Sequence, residues 1–250
     1  QLIELYNEMV VQLDETVHQL KERERESAWK EVAKQVAHEI KNPLTPIKLG
    51  LQFLIRTKKD NDPEWNNRFS SFSETLLVQI ESMTQMANSF SEFTRLPEAV
   101  FTQVKVEELL APSVMVLNEY TGKFDVDNQA NELFMECDKM QIIRVLVNLL
   151  KNAEQAVRGN STADIQVVVN VIDKEVTFAI SDNGIGISNE NIDQIFKPNF
   201  TTKSSGMGLG LFMSKVIVEN HKGRLWFNST AGLGTTFYVC LPIKQSAVTD

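Results

Sequence analysis

Apolar residues at Ile3, Tyr6, Val10, Leu13, Val17 and Leu20 recur at alternating steps of three and four, which is the seam of a coiled coil. The charged run Lys21-Glu22-Arg23-Glu24-Arg25-Glu26 interrupts it. A second seam follows at Ala33, Ala37, Ile40, Leu44, Ile47, Leu51 and Leu54. Leu20 to Ala33 spans 13 residues, one short of two heptads, so the two seams are out of phase. Such a shift is absorbed by local over- or under-winding, and the charged stretch reads either as a solvated helix face or as a joint at 21–31 that passes rotation along the helix. With no Gly before Gly50 and no Pro before Pro43, residues 1–58 are expected to be helical almost throughout. A turn follows at 58–61. Asp62-Pro63 reads as an N-cap and first helical residue, leading into a second helix that runs to about Arg95. Phe69, Phe72, Leu76, Ile80, Met83, Ala87 and Phe90 line one of its faces, and Pro97 stops it. Two helices bury their stripes poorly alone, so two hairpins are expected to pair into a four-helix dimer.

Beyond Pro97 the periodicity changes. Val106 to Asn118 predicts a helix. Asp138 is placed to cap another, which carries Ile142, Ile143, Leu146, Leu149 and Leu150. Ile165–Ile172 and Glu175–Ser181 alternate as strands around an Asp173-Lys174 hairpin turn. Gly208 to Asn220 predicts a helix with Gly223 at its C′ position, and Leu225–Phe227 and Thr235–Leu241 supply further strands. The expected fold class is therefore α followed by α+β. A dimeric helical hairpin with an N-terminal coiled coil precedes a mixed α/β sandwich.

The totals narrow the function. A chain of 250 residues with 42% hydrophobic content is long enough for two domains with real cores. A net charge of −8 argues against nucleic acid as a partner. No apolar run approaches the ~20 residues of a membrane span, and no signal peptide is visible. The start at Gln1 rather than Met points to a fragment separated from a membrane part. Cys137 and Cys240 lie far apart with no metal-ligand spacing, which fits a reducing, cytoplasmic compartment.

Four local patterns in the second half carry chemistry. Asn148 and Asn152 stand at i and i+4, on one helix face. Asp182-Asn183-Gly184-Ile185-Gly186 directly follows a strand. Gly206-Met207-Gly208-Leu209-Gly210 opens a helix, and Gly232-Leu233-Gly234-Thr235 leads into the last strand. Glycines before a helix N-terminus let backbone N–H groups approach an anion, which the helix dipole favours. One such pattern is weak; four in order, each at an element boundary, are strong.

In the first half, His38 is one of three histidines and precedes Glu39 in Val36-Ala37-His38-Glu39-Ile40-Lys41-Asn42-Pro43-Leu44. On an ideal helix it lies about 100° from Ala37 and about 160° from Ile40, off the seam. An exposed imidazole beside a carboxylate is equipped as a nucleophile, with Glu39 holding or deprotonating Nδ1 and Nε2 attacking. Pro43 and Pro46 remove backbone bonds to Glu39 and Asn42 and are expected to bend or loosen the helix just past His38.

Together these patterns resemble the sensor histidine kinases of two-component systems. The four glycine- and asparagine-bearing runs resemble their N, G1, G2 and G3 boxes. Phe196-Lys197-Pro198-Asn199-Phe200-Thr201-Thr202-Lys203 resembles the intervening box of the ATP lid. The His38 run resembles the H box, with its continuation through Pro46-Ile47 similar to the nitrogen-regulation subfamily, and Tyr6–Val10 resembles the end of a HAMP linker. The resemblance covers essentially residues 1–243. It implies a coiled-coil linker at 1–27, a dimerisation and phosphotransfer domain at 28–97, a catalytic Bergerat-type ATP-binding domain at 98–245 and a tail at 246–250.

The resemblance also assigns roles. Asp182 would accept the adenine amino group, with Gly184 and Gly186 letting the backbone lie against the base. Asn152, with Asn148 nearby, would hold Mg²⁺. Gly206, Gly208 and Gly210 would hinge the lid and contact phosphates, Lys203 would face the γ-phosphate, and Thr235 would reach the adenine through water. His38 would take the phosphoryl group from ATP and pass it to an aspartate of a response regulator receiver domain. Asn42, one turn beyond His38, would orient water for dephosphorylation of that regulator. The expected setting is the cytoplasmic portion of an inner-membrane protein with an upstream transmembrane sensor region. ATPases of similar fold place Glu where Asn148 stands, and an amide cannot activate water as a base. Two alternatives stay open: an ATPase of the gyrase and chaperone type, and a non-catalytic dimeric signalling scaffold.

Overall fold

The computed structural model describes residues 2–60, 63–94, 99–130, 132–198, 200–202 and 208–243. It divides into two compact units, the first containing the N-terminal helices and the second made of 95–200 and 208–250.

In the first unit, α1 (Leu2–Lys59) and α2 (Trp65–Thr94) form the predicted hairpin. Pro43 and Pro46 lie inside α1, and neither ends the helix. Helix α2 starts two residues later than expected. Pro63 and Glu64 form a turn before it, and the proposed cap Asp62 is outside the described residues. The two helices approach closely at Gly50, where a Cβ would fall on the Phe72 ring. The base of the hairpin is pinned by Trp65, whose Nε1 donates to the Leu54 carbonyl at 3.1 Å and whose ring stacks on Phe69. Val36 and Leu54 are buried, whereas Leu44, Leu51, Phe53, Phe69 and Ile80 remain exposed. Much of the apolar seam is therefore left uncovered by a single hairpin.

Among the described residues the second unit has two sheets. Strands β1 (Thr102–Lys105) and β3 (Phe134–Cys137) pair antiparallel. The larger sheet contains β2 (Lys123–Asn128), β4 (Asp164–Ile172), β5 (Glu175–Asp182), β6 (Arg224–Thr230) and β7 (Gly234–Pro242), in the order β2-β4-β5-β7-β6. Among the described residues only the β2–β4 pair is parallel. Alternation buries Val176, Phe178 and Ile180 of β5 beneath the helices. Helices α3 (Glu107–Val114), α4 (Lys139–Ala156) and α5 (Gly210–Asn220) supply the opposing layer. Helix α4 packs on β5 and β7, α5 on β6 and β7, and α3 against α4. Leu149, Ile142, Val145 and Leu146 of α4 meet the strand residues in one continuous core.

Three local expectations change. The helix expected over 106–118 closes at Val114 and continues as a 3₁₀ turn at Met115–Leu117. Helix α5 begins at Gly210 rather than Gly208. At its end the left-handed residue is Lys222 (φ 59°), not Gly223. Gly223 N–H reaches back to the Val218 carbonyl and Lys222 N–H to that of Glu219, the paired bonds of a Schellman cap with Gly223 one position further out. The Asp173-Lys174 turn has positive φ at both residues, as a tight hairpin of this twist requires.

Candidate functional site

Helix α4 organises the site. Asp138 caps it, its Oδ1 accepting from Gln141 N–H at 3.0 Å. The other carboxylate oxygen accepts from Val100 N–H at 3.0 Å, tying down the segment just before β1. Asp138 N–H in turn donates to Nε2 of His221 at 3.0 Å. The proton of this buried imidazole is therefore on Nδ1, which donates to the Ile217 carbonyl at 2.8 Å. Burial lowers the His221 pKa, opposed by the Ile217 carbonyl and the Asp138 carboxylate.

Asn148, Asn152 and Ala156 follow at steps of four and share one stripe of α4. Asn148 Nδ2 donates to Ser214 Oγ of α5 at 2.9 Å. Its Oδ1 lies so near Gly210 that a Cβ there would fall on it. Asn152 is half-buried one turn on. At the end of the stripe the Ala156 carbonyl accepts from Ile185 N–H at 3.2 Å, and Gly184 packs against it so closely that no side chain would fit.

Asp182 ends β5 beneath this loop. Its carboxylate accepts from Gly184 N–H at 2.9 Å and from the Thr235 backbone N–H. Burial nonetheless raises its pKa, with those two donors acting the other way. Gly186 has φ 66°, and a Cβ on it would meet the Thr230 carbonyl. Ile187 N–H donates to Ser229 Oγ, and Ser229 also contacts the Thr235 hydroxyl at 2.9 Å. The Thr235 side chain is thus engaged inside the protein. Asn183 faces the other way, accepting from Asp164 N–H and donating to the Thr162 carbonyl. A half-buried acceptor therefore lies under a backbone loop fixed from three sides, and paired carboxamides continue from it along α4.

The fold brings Asn148 and Gly210 together, and separately Asp182, Gly184, Gly186 and Thr235. Gly208 precedes α5 with φ 63°. Lys203 and Gly206 lie outside the described residues. In the helical unit His38 and Glu39 belong to α1, but their side chains lie outside the described part; Asn42 is exposed. Sequence reasoning did not single out Ser214, Asn183 or His221. The only available signal was that Ser214 stands four residues after Gly210, where a helical hydroxyl reaches back. The pairing of His221 with Asp138, 83 residues away, has no local signature.

Residues 28–99 match the His kinase A phospho-acceptor domain, and residues 137–245 match the histidine kinase-, DNA gyrase B- and HSP90-like ATPases. The chain is 35% identical over 245 residues to the NtrY-like protein of Rickettsia conorii, covering 96% of this chain and 40% of that one. It is 30% identical over 241 residues to nitrogen regulation protein NtrY of Azorhizobium caulinodans, covering 94% and 31%. With the signal transduction histidine-protein kinase AtoS of Escherichia coli it shares 33% over 234 residues, covering 92% and 37%. It thus spans less than half the length of these relatives. The catalytic domain of histidine kinase ThkA superposes with a TM-score of 0.52 at 28% identity, covering 58% of this chain and 96% of that one. ThkA in complex with response regulator protein TrrA gives 0.66 at 26%, covering 89% and 64%. With a phospho-acceptor domain followed by a kinase-type ATPase domain, the chain belongs to the sensor histidine kinases of two-component systems, in the nitrogen-regulation group.

Proposed function

We propose that this chain is the kinase core of a two-component sensor, which moves the γ-phosphoryl group of ATP to His38 and from there to an aspartate of a response regulator receiver domain. Residues 28–97 would act as the dimerisation and phosphotransfer domain and 98–245 as the catalytic domain. Residues 1–27 would end a signal helix from a transmembrane sensor region, placing the core on the cytoplasmic side of an inner membrane. Among the described residues no helix is long and apolar enough to cross a membrane, so any span would belong to that upstream region. The exposed Leu44, Leu51, Phe69 and Ile80 favour a homodimer that covers them. The complex of the relative ThkA with a response regulator favours a regulator as partner.

The observation that carries the reading is the amide at Asn148. It sits on α4 against the first turn of α5, bonded through Nδ2 to Ser214, and it has no carboxylate with which to take a proton from water. A domain so equipped binds ATP and leaves the nucleophile to another group. The residues fit MgATP. Asp182 is a half-buried acceptor suited to an adenine amine, and the N-terminus of α5 suits phosphate. The carboxamide oxygens of Asn148 and Asn152 are hard donors that would hold Mg²⁺ alongside phosphate oxygens, and the metal would there neutralise phosphate charge.

In the transfer, the Nε2 lone pair of His38 forms a bond to the γ-phosphorus while the bond to the β,γ-bridging oxygen breaks and ADP leaves. The Nδ1 proton passes to Glu39. Incubation with γ-labelled ATP and Mg²⁺ tests this. Acid-labile, base-stable label on the protein that vanishes in His38→Gln is the expected result. Free phosphate without labelled protein would instead favour an ATPase, and neither product would favour a scaffold.

A further inference from the structure

Ser214 is buried in α5, 2% exposed, and has no part in the chemistry described above. Its hydroxyl carries one proton, and that proton is directed at the Gly210 carbonyl one turn back, at 3.0 Å. Oγ is therefore left with lone pairs, and the group facing it at 2.9 Å is the Nδ2 of Asn148, a donor. Polarity settles which way the carboxamide lies. Turned over, Oδ1 would face another acceptor, and Ser214 would have to abandon Gly210 to satisfy it. The second restraint comes from Gly210, the first residue of α5. Oδ1 occupies the space where a Cβ on that residue would stand, so the oxygen end is held at the mouth of the helix.

We propose that Ser214 is a positioning residue of the nucleotide site: through Asn148 it fixes a carboxamide oxygen, and not an N–H, toward the metal-bearing phosphates. The proposal rests on the reading of this domain as a MgATP site. A hard cation or its coordinated water is drawn to an oxygen lone pair and repelled by an amide N–H, so the orientation has a consequence only when metal is present. A serine kept merely for packing would affect nucleotide binding equally with and without metal.

The test is calorimetric titration of the 250-residue chain with a non-hydrolysable ATP analogue, once in Mg²⁺ and once in EDTA. Ser214→Ala is expected to weaken binding about tenfold in Mg²⁺, the size of one ordinary hydrogen bond, and to leave binding in EDTA unchanged. Ser214→Thr keeps the hydroxyl on the same helical bond and should restore the Mg²⁺-dependent affinity. Ser214→Cys, close to serine in volume but a weak acceptor, should repeat the loss and guards against a folding defect in the alanine variant. In an Asn148→Ala background, Ser214→Ala should change nothing further. Equal affinities of Ser214→Ala and the unsubstituted chain in Mg²⁺, equal losses with and without metal, or additive losses in the cycle would each overturn the proposal alone. Absence of Mg²⁺-dependent nucleotide binding in the unsubstituted chain would overturn the MgATP reading and the role of Ser214 with it.

Discussion

Acid should loosen the N-terminal end of α4 through His221. Neutral His221 accepts from Asp138 N–H and donates to the Ile217 carbonyl; a protonated ring would turn a second N–H toward Asp138 N–H and leave that buried donor unpaired. Burial places the folded-state pKa below the ordinary 6.5. The stability contributed by this group is therefore complete above that value and is lost as pH falls toward the lowered folded pKa. The slope is at most about 1.4 kcal/mol per pH unit, so one unit below the unfolded value the loss is no more than about 1.4 kcal/mol. It is bounded above by the roughly 1–3 kcal/mol cost of an unsatisfied buried donor. Carboxylates titrate in the same range, so the comparison must be differential. His221→Gln keeps an acceptor within reach of Asp138 and removes the titration. Urea unfolding of both proteins between about pH 7.5 and 5 should show the unsubstituted chain losing stability relative to the variant as pH drops. Parallel curves would refute the reasoning.

Asp182→Asn removes the ionised acceptor proposed for adenine, and the lost charged hydrogen bond should weaken ATP binding roughly 10- to 150-fold by calorimetry. Because burial raises the Asp182 pKa, nucleotide affinity of the unsubstituted chain should begin to fall at a higher pH than an exposed aspartate would give. The same raised pKa means that this group favours the folded state only when protonated, so its ionisation costs stability as pH rises and Asp182→Asn should escape that cost. Gly186→Ala places a Cβ at φ 66° and against the Thr230 carbonyl, and should cost at least ~1–2 kcal/mol in thermal unfolding while lowering nucleotide affinity. Asn42→Ala is expected to abolish dephosphorylation of the phosphorylated regulator while sparing autophosphorylation; unchanged phosphatase rates would exclude Asn42 from that step.

The sequence is most legible where one residue type answers one local demand. Both long helices, the Asp138 cap and the Asp173-Lys174 hairpin follow from periodicity and turn chemistry. Strands β1, β2 and β3 do not. Two of them are four residues long, and in β2 only Phe124 and Val126 are apolar, at an edge where most positions stay exposed, so its alternation is too short to stand out. The motif glycines are readable, and the fold gives them a further reason that the motif does not show. Gly184 and Gly186 are required by contacts with Ala156 and Thr230 inside the domain, before any nucleotide is considered. Lys222 takes the left-handed position where glycine would be expected, because the paired backbone bonds and the packing of Gly223 against Cys240 and Leu241 fix the chain there. Ser214 and His221 stay hidden because their partners lie 66 and 83 residues away and meet them only in the folded core.

The double use of the Asp138 carboxylate has a mechanical consequence. One oxygen grips the first turn of α4 and the other the peptide at Val100, so a pull on the chain at that point is delivered to the end of the helix. Asn148 stands ten residues further on, about 15 Å along the axis at the usual helical rise. Less than three turns of hydrogen-bonded helix is a short, stiff rod, which answers a tug at one end by shifting as a whole rather than by bending. The carboxamides of the site are carried on a shaft clamped where the polypeptide arrives.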